Sequence, residues 1–239
     1  MSAVELAGSD AETTAKPAWA AFARSAWAVL AKDARCELRT RHALGAVLLF
    51  AVTSTVAVSF TLTAWGSKGP VAAALVWLVI YFSAMSGLSR VFVREQETHT
   101  APLLRLAAPP NAVYLGKLAF NLALMLAIEV VTVPLFVLLM GCRVASWGSV
   151  ICILIMGSLG LSVGATTSAA MVARARARGA LYAAISFPLL IPVLAVAVLG
   201  TEAAMAGSSA VAQDLRLILY YVGAVLTASL MLFRFIWED

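Results

Sequence analysis

Long apolar runs alternate with short polar breaks along this chain, and the runs set its architecture. A helix needs about 20 mostly apolar residues to cross a bilayer. Six stretches reach that length, roughly residues 43–64, 71–92, 115–140, 150–172, 181–199 and 215–235. None shows the apolar–polar alternation of a membrane barrel strand, so the pattern predicts an all-α membrane protein with six transmembrane helices. Glycine and proline punctuate the breaks at Gly66, Gly69 and Pro70, at Pro109 and Pro110, and at Gly141, Gly179, Gly200 and Gly207.

A different pattern precedes the first run. Trp19, Phe22, Ala26 and Leu30 fall on one helical face, and Arg24, Lys32, Arg35 and Arg39 fall on the other. Tryptophan opposite basic residues predicts an amphipathic helix over residues 17–41, lying in the membrane interface. The stripe degrades after Ala31, where Asp33 and Glu37 return toward the apolar side. Glu37 stands one turn before Arg41, at pairing distance. Residues 1–16 are polar and acidic, without a cleavable signal pattern, and predict a disordered tail. Residues 42–239 then form a single six-helix transmembrane domain.

Composition sharpens this picture. Of 239 residues 62% are hydrophobic and 12% charged, against about 45–50% and 25% in soluble domains. That excludes a water-soluble fold. The formal charge of +5 reads as a positive-inside bias rather than a nucleic-acid surface, because the aromatic residues lie in the apolar runs. With both termini inside, all the Lys and Arg residues except Lys68, Arg143 and Arg216 fall on the cytoplasmic side. Cys36, Cys142 and Cys152 have no metal-binding or redox spacing and read as small apolar fillers.

The most telling segment is the charged break between the second and third runs. Arg94, Glu95 and Glu97 are followed by Leu103, Leu104, Arg105 and Leu106, then Pro109-Pro110 and Gly116-Lys117. Charges of both signs beside a Leu-Leu-x-Leu run predict a short cytoplasmic helix within residues 94–110 that docks on a soluble partner. The leucines are its apolar contacts, and Arg94, Glu95, Glu97 and Arg105 its charged rim. Within the spans, Glu129 must face protein or water, as a latch, a substrate contact or a packing residue. Gly160 and Gly164, with Gly157 and Ser168, form a small-residue face for close helix packing, within or between subunits. Gly160-Leu-Ser162-Val-Gly164 also matches a serine-hydrolase elbow, which needs a strand–turn–helix that an apolar helix does not supply. Pro188 and Pro192 predict a kink or break in the fifth span, acting as a hinge or cavity wall. Arg174, Arg176 and Arg178 suit anionic headgroups. His42 and His99 are not placed as a heme-ligand pair within a span. No phosphate-binding loop, His-Glu-x-x-His or Cys-x-x-Cys occurs, so any ATP and Mg used must be bound by another chain.

Arg94-Glu95-x-Glu97-x-x-Thr100-x-x-Leu103-Leu104, the prolines, and Tyr114-Leu-Gly-Lys117 resemble type-2 ABC transporter permeases. Gly87–Phe92, Glu129…Pro134 and Phe187-Pro-Leu-Leu-Ile-Pro192 are similar to the heme exporter protein B (CcmB) family of cytochrome c maturation. The likeness runs from about residue 17 to the last span. His99 stands where the family usually has glycine, and Ala101-Pro102 where it has leucine and an acid. The resemblance implies a non-enzymatic permease subunit of the bacterial inner membrane, with no cofactor of its own and heme as cargo. It implies an ABC ATPase subunit, a heme-handling membrane protein with its small companion, a periplasmic heme chaperone, membrane lipids and an oligomer as partners. ATP hydrolysis inside would drive heme export or release of the loaded chaperone outside. Competing readings are a type-2 exporter of a drug, lipid or glycan, an intramembrane hydrolase using Ser162, and a passive scaffold.

Overall fold

The computed structural model describes residues 18–39, 41–65, 70–88, 92, 95, 100–173, 175 and 178–238. Among these every regular element is helical. The helices are α1 (Ala18–Arg39), α2 (Arg41–Trp65), α3 (Pro70–Leu88), α4 (Ala101–Ala107), α5 (Pro110–Met140), α6 (Trp147–Val172), α7 (Arg178–Ala206) and α8 (Val211–Glu238). Five of them, α2 and α5 to α8, are long and apolar enough to cross a membrane. The sixth expected span, α3, is shorter: its 19 residues cover about 28 Å at the helical rise, against a hydrocarbon core of about 30 Å.

Sequence marks the helix ends. Pro110 takes the first position of α5, where a missing N–H costs nothing. Gly141 ends α5 with φ +60°. Gly207 ends α7 with φ +73°, while the Ser208 N–H donates to the Ala203 carbonyl at 2.9 Å and the Gly207 N–H to the Ala204 carbonyl at 3.3 Å. That pairing closes the last turn. Ser146 accepts from the Ser149 N–H and caps α6.

The bundle is built around α6, which packs against α3, α5, α7 and α8. Residues 160–170 of α6 are buried without interruption. The reason is the small-residue face. A Cβ on Gly157 would stand 2.4 Å from the Trp77 ring, one on Gly160 2.5 Å from Val193, and one on Gly164 2.5 Å from Leu190. Lipid tails are as apolar as leucine, so helices associate here through close van der Waals packing, which only glycine allows at these points. The face thus seats α3 and α7 inside one chain. Gly160→Ala is expected to cost about 1–3 kcal/mol by overpacking, read as a lower melting temperature of the purified protein in detergent.

Of the kink or break expected at Pro188 and Pro192 there is no break: α7 runs unbroken from Arg178 to Ala206. Both prolines lie on its exposed side, and the Tyr221 hydroxyl of α8 donates to the Leu189 carbonyl. A neighbouring helix therefore serves the turn that Pro192 loosens. Trp77 adds a second cross-tie, donating its indole N–H to Thr201 Oγ1 at 2.8 Å.

Candidate functional site

At one end of the bundle, α1, Glu95 and the start of α5 meet at a largely buried ion cluster. Lys117 of α5 is 0% exposed. Its Nζ lies 3.2 Å from Asp33 Oδ2 and 3.2 Å from Glu95 Oε1, and 5.1 Å from the centre of the Phe92 ring. Lys32 pairs with Asp33 at 3.0 Å and also with Glu95. Thr100 Oγ1 donates to Glu95 Oε2 at 2.5 Å. Two lysines and two carboxylates thus neutralise one another, which is how charges are tolerated away from water.

Burial pushes the Glu95 carboxyl up, but Lys117 and the hydrogen bonds from Lys32 and Thr100 outweigh it and hold its pKa at about 2. For Lys32, burial pulls the ammonium down, yet the bonds and attraction from Glu95 and Asp33 win and raise it above the ordinary lysine value.

Local sequence explains why these groups meet. A Cβ on Gly116 would stand 2.6 Å from the Ala26 carbonyl oxygen and 2.7 Å from Val29 Cβ. Glycine at 116 therefore lets α1 lie against α5, and Val29 is buried there. Asp33 lies one turn beyond Val29 on the same face. The residue that spoils the apolar stripe of α1 is the one that reaches the lysine.

The short helix α4 has two sides. Leu103 is 67% and Leu106 87% exposed. Leu104 is half-buried and packs against the core. Arg105 lies with its guanidinium 5.5 Å from the Trp237 ring, within an aromatic group that includes Phe92, Tyr114 and Phe233. Thr100 precedes α4 and Pro102 lies in its first turn, a position that tolerates proline.

These placements correct three sequence expectations. Glu95 is buried in the ion cluster rather than forming a charged rim, because two ammonium groups compensate it there. Arg105 turns inward onto Trp237, and Leu104 packs on the bundle, because a helix of one or two turns must seat one side to hold its orientation. Arg94 and Glu97 lie outside the described residues.

Deeper in the bundle, a polar row joins α5 to α6. Tyr114 shares a hydrogen bond with Thr167 at 3.0 Å, and Thr167 another with Ser229 of α8 at 2.6 Å. Asn121 donates to Thr166 at 2.8 Å. Glu129, 4% exposed, accepts from Ser158. Its carboxyl therefore faces protein, not lipid. Ser162 is buried within the continuous helix α6, not on a strand–turn–helix.

A family model described as CcmB protein matches residues 24–238. The chain belongs to the CcmB family. No curated protein matches it. Membership of the CcmB family makes the chain a heme-exporter permease component of cytochrome c maturation, a multi-pass membrane protein that is not itself an enzyme. It also implies partnership with the ATPase CcmA and with CcmC. The CcmB match covers Lys32, Asp33, Glu95 and Lys117 alike, so α1 belongs to the family domain from Arg24 onward. Sequence reading missed Lys117, Lys32, Asp33 and Ser158 as working residues. The signals were present: an acid on an apolar stripe, and a Gly-Lys pair at the start of a span.

Proposed function

We propose that this chain is the permease subunit through which a separate cytoplasmic ATPase drives heme export, or the release of a heme-loaded periplasmic chaperone. The observation that carries the reading is the posture of α4. Two leucines point away from the bundle while Leu104 and Arg105 hold the helix from behind. Such a helix offers an apolar patch to a soluble partner and passes on what that partner does.

The contacts support one load path. Movement of α4 bears on Glu95 through Thr100, on Lys117 through Glu95, and so on α5 and α1. The Glu129–Ser158 and Tyr114–Thr167–Ser229 bonds link α5 to α6 and α8. Coupling then switches the bundle between two discrete packings. Residues 94–110 act as the coupling segment, Glu129 as an internal tie, and Gly160 and Gly164 as the close-packed face past which α7 shifts. Pro188 and Pro192 give α7 its local freedom. ATP and Mg belong to the partner ATPase, heme is cargo, and the heme-handling membrane protein, its small companion and the chaperone complete the oligomeric assembly. The positive-inside bias supports both termini and α4 lying on the cytoplasmic face, in the bacterial inner membrane.

Leu106→Cys, on a background with the three native cysteines replaced, tests this. A short bifunctional thiol–amine reagent is expected to join residue 106 to the ATPase in membranes. Labelling of that cysteine by an impermeant reagent added to the periplasmic side would overturn the reading.

A further inference from the structure

Between α1 and α4 lies an open groove of about 520 Å³, lined by Ala21, Arg24, Ser25, Ala28, Val29, Lys32, Leu104, Ala107 and Ala108. We infer that this groove is a binding site for one anionic phospholipid, whose phosphate rests on Arg24 and whose acyl chain lies along the alanine floor.

The charge of the groove favours an anion. Arg24 is exposed, and its Nε donates only to the Ala20 carbonyl in its own helix, so among the described residues no carboxylate claims the guanidinium. Lys32 is already engaged by Glu95 and Asp33, so the phosphate falls to the Arg24 guanidinium, whose planar fork suits it.

The lining suits a lipid. Ala21, Ala28, Ala107 and Ala108 give the groove a floor of small apolar side chains, along which an acyl chain can lie. The location agrees. Trp19 and Trp27 of α1 are 73% and 68% exposed, and tryptophan at a helix surface marks the headgroup level of a bilayer. The groove therefore opens where headgroups are. Its floor is shared by α1 and α4, so a bound lipid bridges the two helices. The site requires α1 to lie at a membrane surface but not that α4 meets an ATPase, so its test stands apart from that of the coupling role.

The test is native mass spectrometry of the purified chain released from nanodiscs of phosphatidylglycerol and phosphatidylcholine in equal amounts. The unaltered protein is expected to retain one phosphatidylglycerol in preference to phosphatidylcholine. Arg24→Gln should weaken that preference roughly fivefold, the worth of one basic residue near an anionic surface. Ala28→Phe fills the groove without touching a charge and should reduce retention of both lipids. Both side chains are exposed, so the variants keep the melting behaviour of the parent. Equal retention of the two lipids by the parent, or unchanged retention in both variants, would overturn the assignment. So would loss of the ATPase, with lipid retention intact, on Arg24→Gln, because the groove would then belong to a protein partner.

Discussion

Replacing Lys117 by methionine is expected to lower the stability of the folded chain by about 3–5 kcal/mol, the largest effect of any single substitution considered. Methionine keeps the apolar stem but not the ammonium, which also sits over the Phe92 ring, so the loss is chiefly electrostatic. Asp33 and Glu95, both drawn onto one ammonium at 3.2 Å, would then share only Lys32. Two carboxylates left with one partner away from water cost far more than the pair contributed when complete. The measurement is thermal or denaturant unfolding in detergent. Adding Glu95→Gln and Asp33→Asn to Lys117→Met should recover much of the loss, because no unpaired charge remains. A melting curve for Lys117→Met that overlays the parent would refute the cluster as a fastening.

The same cluster fixes a pH dependence. The Glu95 carboxyl titrates at about 2 in the folded chain, below the roughly 4.3 of an unperturbed glutamate. Its contribution is therefore complete above the unfolded value and is lost as pH falls from about 4.3 toward 2. Lys32 has the opposite sign: its raised pKa gives a contribution that is lost only above the ordinary lysine range. Glu95→Gln should flatten the acid limb and also weaken the alkaline one, because the Glu95 carboxylate is a main partner holding Lys32 above its ordinary value.

Leu103→Asp together with Leu106→Asp is expected to remove the ATPase from the purified complex while leaving the bundle folded. Full burial of a leucine is worth about 1.5–3 kcal/mol, so two at one interface change the association constant by roughly a hundredfold or more. Both side chains project from the bundle, and surface substitutions of this kind shift stability by only about 0.5 kcal/mol. Co-purification and melting temperature separate the two outcomes. An ATPase that remains bound to the double variant would place the docking surface elsewhere.

The spans were legible from sequence because a bilayer imposes one strong rule, a run of about 20 apolar residues. α5 and α7 extend beyond their apolar runs because turns at a membrane surface are paired by neighbouring protein, which hydropathy does not record. α7 shows the limit of local rules. Two prolines four residues apart predict a kink or a break in isolation, but neighbouring α8 supplies Tyr221 at Leu189, and the helix continues. The ion cluster was hidden for a related reason. Lys32, Asp33, Glu95 and Lys117 lie on three separate segments, and periodicity along one segment says nothing about a partner 63 or 84 residues away. The glycine face of α6 was readable because its constraint, room for a close neighbour, is written in one helix.

The length of α5 has a further mechanical meaning. Its 31 residues make a rod of about 46 Å, some 16 Å longer than the oily slab of a bilayer. Under the coupling proposed above, such a rod would serve as a tiller. A swing of about 5° about its midpoint would move each tip by about 2 Å, and a nudge at the lysine-bearing tip would reappear, reversed in direction, at the opposite face of the membrane.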